Sequence, residues 1–571
     1  MKGALAGRVG LLGLLTLGVG IFDHEVWSPS ETTVSGVVWN MVEGGSSLVL
    51  PRINDLAYLE KPPLYYWAGW ASAKLAGRLD AGTLRLPAAL FGLLALAALA
   101  AVLRPRWGDR VTWATLFLGV TTLPFFELSH RASSDVAATA GAFLCFALFA
   151  RSLDGPQAGS RRRTLLLDGA FSLALAFSFY AKNFYVFLVV IPPVAALLVW
   201  RRQWARLLRM ALLGSAATLV VVLPWLLALR AEGGDLALRV VLFDNTLGRL
   251  LTLHPPAQVG PLNNAFGAEK KGSWLYYLVR LPALAAPWSG IALMGARRCL
   301  QRRPRGDLQR FTLLGLVGVP LALTLSSSKA SEYLTPVLFF VWLACAELLA
   351  ELRRGAPGLG RGERWVLLAS LLAMALLLAG GGIGLALLRG QPALLALALP
   401  PLVAGALWVR RARRSLLDLP GVLRASQVIA LCLGLLTLLA MPLLDAHKSQ
   451  APFFSAAARR AAGRRVLTTY LGDHTLPLMT YYLRRRVEVH SYDEVLALLA
   501  AREPVLAVLP GELYDAAPAR IDGISGVRVS ILRGHRDRIF AWNRQPAPRG
   551  DPSRAGLEPG RPAAPRGSPS P

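Results

Sequence analysis

The chain has 571 residues, of which 54% are hydrophobic and 17% are charged, and its mean hydropathy is +0.46. Soluble domains carry about 25% charged residues, so this composition excludes an ordinary soluble protein and indicates a membrane protein. The net charge of +28 does not indicate nucleic-acid binding, because most arginines lie in short clusters between apolar runs, as in the cytoplasmic loops of membrane proteins.

About thirteen apolar runs have roughly the length of a membrane-spanning helix. They lie near residues 5–22, 84–103, 111–128, 135–150, 164–181, 184–200, 210–229, 274–296, 311–326, 333–350, 365–388, 393–409 and 425–443. Arginine clusters follow the even-numbered runs, so we expect those loops and the N-terminus on the cytoplasmic side. The remaining loops, and the segment after about His447, are then expected on the non-cytoplasmic side. The first run has no small-residue cleavage site after it and is interpreted as a membrane anchor.

The first non-cytoplasmic loop, residues 23–83, is the most polar stretch of this half of the chain. It contains Glu31, and it places Lys61 between Glu60 and two prolines. Proline restricts the residue before it, so we expect Lys61 on a stiff, extended backbone. A fixed cation beside carboxylates at a bilayer surface suits a substrate with a phosphate in the headgroup plane. An interfacial loop with a snorkelling lysine is an equally good interpretation of these residues.

Four further candidates lie on the same face, three at the predicted ends of later spans and Arg249 in the long loop between the spans 210–229 and 274–296. They are Asp135, Lys182, Arg249 and Lys329. Ionisable residues near membrane depth are costly, so each is a functional candidate. Each also has an ordinary structural alternative: Asp135 could cap a helix, and Lys182 could snorkel to the headgroups. Arg249 could pair with Asp244. Lys329 could likewise pair with Glu332.

The C-terminal part changes to a soluble pattern. Short β-like runs at 466–470, 505–509 and 527–532 alternate with helical stretches such as 492–501, which predicts a small α/β domain over 446–545. Residues 546–571 are rich in proline, glycine and arginine and are predicted to be disordered. The sequence has no CxxC pair, no histidine cluster at ligand spacing and no P-loop, so no metal site is predicted.

One motif carries a resemblance to a known family. The stretch Tyr58-Leu59-Glu60-Lys61-Pro62-Pro63-Leu64-Tyr65-Tyr66-Trp67 resembles the first outer loop of the GT-C glycosyltransferases that use polyprenyl-phosphate sugars. These include the protein O-mannosyltransferases and the aminoarabinose transferases that modify lipid A. The resemblance covers most of residues 20–340. It implies an all-α polytopic membrane protein of GT-C type, with about 13 transmembrane helices in residues 1–445 and a small C-terminal soluble α/β domain.

The resemblance also implies a reaction and its site. An acceptor hydroxyl on a lipid, protein or glycan displaces the lipid phosphate from a polyprenyl-phosphate sugar, at the non-cytoplasmic face of the plasma (inner) membrane. The first candidate for the general base is Glu31, and the second is Asp135. The phosphate clamp is implied to be Lys61, Lys182 and Arg249, with Lys329 and Tyr333 as further donor contacts. Whether a divalent metal assists is left open.

The loop departs from the family pattern at its start. Family members usually have an Asp-Glu pair there, whereas this chain has Ser30-Glu31. Counting back from Lys61 places Glu31 on the catalytic Asp, whereas alignment on Met41 places Ser30 there. Two alternatives therefore stay open: a catalytically lapsed scaffold, and a transporter or flippase of lipid-linked substrates. A transport path predicts ionisable residues near mid-span or repeated halves, and we see neither pattern in the sequence.

Overall fold

The structure is a computed structural model of the chain. It describes residues 2–27, 30–153, 160–248, 273–301, 306–326, 329–353, 361–414, 419–469, 474–501, 504–510, 524–529 and 538–543. Two compact units are distinguished. The first comprises Met1–Ala451 and Gly472–Arg485, and the second comprises Pro452–Leu471 and Arg486–Pro571. The two units are not separated by a single cut in the chain, because residues 472–485 belong to the first unit. The domain boundary at 445/446 that the composition predicts remains a prediction.

Helices make up most of the first unit. In chain order they are α1 Lys2–Gly13, α2 Ser30–Val42, α3 Leu64–Ala76, α4 Ala81–Val120, α5 Leu123–Ser129, α6 Ser134–Leu153, α7 Arg161–Lys182, α8 Tyr185–Trp200, α9 Trp204–Arg239, α10 Tyr276–Leu284, α11 Ser289–Gln301, α12 Asp307–Thr324, α13 Leu338–Arg353, α14 Arg361–Arg389, α15 Leu399–Arg414, α16 Leu419–Lys448 and α18 Thr475–Leu483. Short π-helical segments at Leu14–Gly18 and Val240–Gly248 and 3-10 segments at Ser331–Val337 and Pro392–Ala398 extend α1, α9, α13 and α15.

Seven of the described helices are long and apolar enough to cross a bilayer, or eight if one bent pair counts as a single span. The bent pair is α10 and α11, which meet at 107°, so the predicted run 274–296 is broken rather than straight. Helix α4 contains the second predicted run and the start of the third, because Gly108 adopts φ 75° and ψ 176° and interrupts the helix between them. Length and composition thus support a polytopic helical protein, and the count of thirteen remains a prediction.

Helix α13 forms the centre of the first unit. The apolar window of its span is 94% buried, whereas the corresponding windows of α9 and α16 are only 17% and 28% buried. Aromatic rings from α6, α12 and α13 pack against each other there: Phe340 lies 4.5 Å from Phe146 and 5.1 Å from Phe311 between ring centres. Edge-on aromatic packing at these distances stabilises the contact beyond the area it buries.

The loop of residues 23–83 is folded. A short antiparallel ribbon pairs β1 Arg52–Ile53 with β2 Leu56–Ala57, and Asn54 at its turn has φ 53°. The Asn54 carbonyl accepts a hydrogen bond of 2.6 Å from the Asn40 side chain on α2. Helix α18 packs on α2 at Gly36, where an added Cβ would lie 2.6 Å from Pro477 Cβ. Only glycine permits this approach.

The described residues of the second unit form a five-stranded sheet with two helices, α17 Ala451–Ala461 and α19 Tyr492–Ala500. The strands are β3 Arg465–Thr468, β4 Glu488–Val489, β5 Val505–Pro510, β6 Ile524–Val529 and β7 Arg538–Asn543, in the order β4-β3-β5-β7-β6. Strand β3 is parallel to β4 and β5, whereas β7 is antiparallel to β5 and β6. Leu467, Val495 and Val505 lie in its small core.

The close contact between α11 and α13 generates a testable prediction. A Cβ at Gly295 would lie 2.2 Å from the Ala344 carbonyl oxygen, whereas a Cβ at Gly384 on α14 would meet nothing within 4 Å. We expect Gly295→Ala to destabilise the protein by about 1–3 kcal/mol, because the backbone of α13 has to move. Thermal melting in detergent should show a clear loss for Gly295→Ala and none for the control Gly384→Ala. Equal melting temperatures would show that the two helices separate freely.

Candidate active site

The most highly connected polar group of the first unit is an ion pair between Glu31 and Arg85. Arg85 is fully buried and Glu31 is 3% exposed. Arg85 Nε donates to Glu31 Oε1 and Arg85 Nη2 donates to Glu31 Oε2, both at 2.7 Å. The same carboxylate accepts the backbone N–H groups of Trp27 and Ala132, each at 3.0 Å. Each carboxylate oxygen of Glu31 therefore has two donors.

The remaining donors of Arg85 hold the chain that leads into the loop. Nη1 donates to the carbonyl oxygens of His24 at 2.7 Å and of Ile21 at 3.3 Å, and Nη2 donates to that of Glu25 at 2.5 Å. All five N–H groups of the guanidinium are thus used. A fork of fixed donors can organise several carbonyls in this way, which a lysine cannot. The sequence analysis assigned no role to Arg85, although an arginine inside the predicted apolar run 84–103 is a signal for one.

This environment determines the charge of Glu31. Burial by itself raises the pKa of Glu31, but the charge of Arg85 and the hydrogen bonds that it accepts outweigh burial and hold the pKa below its ordinary value. Glu31 is therefore a carboxylate with all its partners in place. Its predicted role as a base requires that it first release one of them. Its neighbour Ser30 has a buried Oγ without a hydrogen-bond partner among the described residues.

Asp135 and Lys182 form a second pair, where the first turn of α6 meets the last turn of α7. Lys182 Nζ donates to Asp135 Oδ1, and Ser133 Oγ donates to Asp135 Oδ2 at 2.8 Å. The side chains are 18% and 10% exposed, so this pair is more accessible than Glu31. Lys182 Nζ also lies 3.9 Å from the ring centre of Tyr333 and 4.8 Å from that of Tyr185. Lys182 thus has a specific partner rather than a purely snorkelling position.

Lys61 belongs to the same neighbourhood. Its Nζ donates to Glu60 Oε1 at 2.9 Å, and Glu60 Oε2 accepts a hydrogen bond of 2.6 Å from the Tyr58 hydroxyl. The positive charge of Lys61 also attracts the Asp135 carboxylate. The loop of residues 23–83 therefore places its lysine in the neighbourhood of the Asp135–Lys182 pair, and a shared site for these residues remains a prediction.

The other predicted residues are placed differently. Lys329 is buried and donates to the carbonyl oxygens of Thr324 at 2.9 Å and Ser326 at 2.8 Å, with Tyr277 at 5.5 Å from its Nζ. Tyr333 lies against Lys182, and its carbonyl accepts a hydrogen bond of 2.7 Å from the Tyr185 hydroxyl. Arg249 lies outside the described residues. Tyr185 was missed by the sequence analysis, although it stands three residues after Lys182, across the break between α7 and α8.

An apolar cleft with a volume of about 560 Å³ runs between α7, α8 and α9. On α7 it is lined by Phe171, Leu175 and Phe179, which recur every four residues and so share one helix face. Lys182 follows that face at one end, within three residues of Phe179. The candidate site is thus continuous along the chain with a long apolar groove. No group of three or more metal-ligating side chains occurs in the part of the chain that the structure describes.

Comparisons with known proteins give a consistent relationship. Residues 60–227 match the family described as dolichyl-phosphate-mannose-protein mannosyltransferase. The undecaprenyl phosphate-alpha-4-amino-4-deoxy-L-arabinose arabinosyl transferase of Pseudomonas aeruginosa is 28% identical over 346 residues, which is 59% of each chain. Its counterpart in Shewanella sediminis is 27% identical over 39% of this chain and 40% of its own. The chain aligns with about three fifths of the length of the first of these relatives.

A solved structure extends the likeness to nearly the whole chain. ArnT from Cupriavidus metallidurans, bound to undecaprenyl phosphate, superposes with a TM-score of 0.74 at 18% sequence identity, over 95% of this chain and 98% of that protein. The apo form of the same protein gives a TM-score of 0.71. At this identity the match shows a shared fold.

The Glu31–Arg85 pair generates a prediction about stability. We expect Glu31→Gln to cost about 3–5 kcal/mol, because it leaves the buried Arg85 without a counter-charge. The pKa of Glu31 is lower in the folded protein than the ordinary value of about 4.3, so the pair stabilises the fold above that pH and loses this contribution as pH falls below it. Melting temperature against pH should therefore fall towards acid in the wild type, and less steeply in Glu31→Gln.

Removing a surface pair provides the control. Arg104 and Asp109 are 72% and 63% exposed and pair at 2.7 Å, so Arg104→Gln should change stability by less than about 1 kcal/mol. If Glu31→Gln melts like Arg104→Gln, the buried pair does not hold the fold together.

Two comparisons agree with the Lys61 motif of residues 58–67: the match over residues 60–227, and the fold shared with ArnT over nearly the whole chain. The chain is therefore similar in sequence, over residues 60–227, to the dolichyl-phosphate-mannose-protein mannosyltransferase family, and it has the fold of ArnT.

Proposed function

We propose that this protein transfers a sugar from a polyprenyl-phosphate donor to an acceptor hydroxyl, at the cluster formed by Asp135, Lys182 and Lys61. The observation that carries the proposal is the convergence of these charges from α6, α7 and the outer loop beside an apolar groove. The relatives act on undecaprenyl-phosphate sugars according to their names, and one structural neighbour is bound to undecaprenyl phosphate. Both favour a transferase over a transporter.

The two lysines suit a phosphate at the end of a lipid. When the donor leaves, negative charge develops on the phosphate oxygens, and positioned ammonium groups stabilise that charge. Lys182 and Lys61 already surround one carboxylate, Asp135, which occupies a position similar to that of an incoming anion. A phosphate that enters would share or replace this partner. Tyr185 and Tyr333 provide walls that hold Lys182 in place through cation–π contacts.

The groove suits the lipid tail of the same donor. All but three of its lining residues are apolar, the exceptions being Gly214, Ser215 and Thr218. A prenyl chain that starts near Lys182 can follow Phe179 and Phe187 into this groove. Burial of an apolar chain contributes about 0.8 kcal/mol for each methylene group removed from water. The lysines would then bind the phosphate, while the groove binds only the apolar chain.

A carboxylate completes the reaction. The acceptor oxygen forms the new glycosidic bond, the bond between the anomeric carbon and the phosphate oxygen breaks, and the acceptor proton passes to the carboxylate. We propose Asp135 for this step, because it is more exposed than Glu31 and lies beside the lysines. Glu31 then positions the turn that precedes α6, since its carboxylate holds the Ala132 N–H three residues before Asp135. Ser30, with its unpartnered Oγ, is a second position at which a base would fit.

The finer features follow from the same proposal. The alternation of arginine clusters supports about thirteen spans, with Lys61 on the non-cytoplasmic face of the plasma (inner) membrane. The acceptor is a lipid, protein or glycan hydroxyl, and lipid A is the first to test. Arg249 and Lys329 are proposed as further donor contacts.

The clamp is tested by removing one lysine. Lys61→Ala should weaken the binding of undecaprenyl phosphate by about 10- to 100-fold, because a hydrogen bond to a charged group is worth about 1.5–3 kcal/mol. The matched control is Lys74→Ala, since Lys74 is an exposed lysine of α3 that donates to the Val42 carbonyl. Titration of the purified variants with undecaprenyl phosphate measures the affinity. Wild-type affinity in Lys61→Ala would exclude the clamp.

The carboxylate is tested by turnover at matched amounts of folded protein. Asp135→Asn should lower turnover by at least about 100-fold, the usual scale for the loss of a general base, while the donor still binds. If Ser30 occupies the position at which relatives have a base, Ser30→Asp should raise turnover. If Glu31 occupies that position, Glu31→Asp should retain turnover. If Asp135→Asn and Glu31→Gln both turn over like the wild type, the carboxylate mechanism is wrong and the transporter gains support.

A further inference from the structure

We propose that the far end of the apolar cleft binds the headgroup of an anionic phospholipid, through Arg206 and Arg209, with an acyl chain in the adjoining groove. This site is separate from the Asp135–Lys182 cluster. On α7, Asp168 and Lys182 are 14 residues apart, which is about 21 Å at 1.5 Å per residue. Phe171, Leu175 and Phe179 line the cleft between them. The cleft therefore has a charged cluster at each end.

The far cluster carries more positive than negative charge. Asp168 is 1% exposed and accepts hydrogen bonds from Arg206 Nη2 at 2.7 Å and from Arg209 Nη2 at 2.6 Å. One buried carboxylate is thus shared by two arginines. The next carboxylate, Asp307, is shared in the same way, by Arg201 at 3.1 Å and Arg310 at 3.3 Å. An anion is needed to neutralise such a surface in an apolar environment.

Arg209 is the group that remains available to a ligand. Arg206 is 11% exposed, because it is also held by Ser152 Oγ and lies over the ring of Phe149 at 5.3 Å. Arg209 is 34% exposed and donates to Asp168 through Nη2, whereas its Nε is buried. The exposed part of its guanidinium can therefore donate to a phosphate without giving up Asp168. Arginine forks match phosphate oxygens in geometry as well as in charge.

The neighbouring residues place this end at the level of lipid headgroups. Trp200 and Trp204 are 61% and 57% exposed on either side of the turn between α8 and α9, as expected for aromatic anchors at a membrane–water interface. Leu207 and Met210, which alternate with the arginines on α9, line the cleft directly. A phospholipid with its phosphate at Arg209 would lay a chain along them. Basic pockets between spanning helices are known to favour anionic lipids.

The test measures lipid retention, which does not depend on any transferase activity. Purified protein is titrated with dioleoyl-phosphatidylglycerol or with dioleoyl-phosphatidylcholine, and bound lipid is counted by native mass spectrometry. The wild type should retain the anionic lipid in preference. Arg209→Gln should weaken its retention by about fivefold, the effect of one arginine at a lipid surface, and it leaves the Arg206–Asp168 pair to preserve the fold.

Two matched controls separate this site from general charge and from general packing. Arg161→Gln removes a more exposed positive charge at the start of α7 and should leave retention unchanged. Gly214→Leu fills the cleft, where a Cβ meets nothing within 4 Å, and should also reduce retention; Gly169→Leu, with the same free space on α7 but outside the cleft, should not.

The results overturn the proposal if Arg209→Gln or Gly214→Leu retains phosphatidylglycerol like the wild type. An equal loss of phosphatidylglycerol in Arg161→Gln would mean a diffuse charge effect. Equal retention of phosphatidylcholine and phosphatidylglycerol by the wild type would mean a lipid groove without headgroup recognition. Either result also overturns the proposal. Lys61→Ala should keep phosphatidylglycerol while losing undecaprenyl phosphate, and Arg209→Gln should do the reverse, so failures at the two headgroup ends are distinguishable, whereas Gly214→Leu acts on the groove that both lipids share.

Discussion

The buried pair of Glu31 and Arg85 holds four separate stretches of the first unit at one point. Arg85 lies on α4, Glu31 on α2, three carbonyls belong to the chain that enters the loop, and the Ala132 amide belongs to the turn before α6. Two desolvated charges are stable together only because every donor and acceptor is satisfied. The loop that carries Lys61 and the turn that carries Asp135 are both anchored through this pair.

The candidate site follows from that anchoring. Asp135 begins α6 three residues after the Ala132 amide, and Lys182 ends α7 beside it. Helix ends are where a polypeptide can present charged side chains at the boundary of an apolar region, because the helix itself satisfies its backbone inside the bilayer. The arrangement explains how the largely helical first unit presents a charged centre at its helix ends.

In the proposed function, the groove between α7, α8 and α9 accounts for the substrate class. A site that recognises only a charged phosphate would accept soluble and lipid-linked phosphates alike. An apolar groove that continues from the charged end selects for a lipid tail, because only a tail gains free energy by filling it. The same argument applied to the opposite end of the groove, where arginines outnumber the carboxylates they share, leads to a second lipid headgroup.

Much of the site could be predicted from the sequence. Asp135, Lys182 and Lys61 stood out because ionisable residues beside apolar runs are costly, and the structure brings these three together. The family resemblance rested on the Lys61 motif, and the comparisons confirm it. The interpretation of Lys329 as a partner of Glu332 differs from the structure, in which Lys329 Nζ donates to two backbone carbonyls. Carbonyl partners depend on how a turn closes and leave no pattern in the sequence.

Composition and the distribution of charge by themselves determined that this is a polytopic helical membrane protein with its distinctive residues at helix ends, since both properties are sums over local residues. The partner of Glu31 was decided only by the tertiary structure. In the sequence it stands 30 residues before Lys61 and 54 before Arg85, and either could have been its partner. Because α2 packs against α4, the partner of Glu31 is Arg85. With four donors, the Glu31 carboxylate also holds the backbone at Trp27 and Ala132 in place. Long-range pairing of this kind depends on which helices meet, and no local pattern records it.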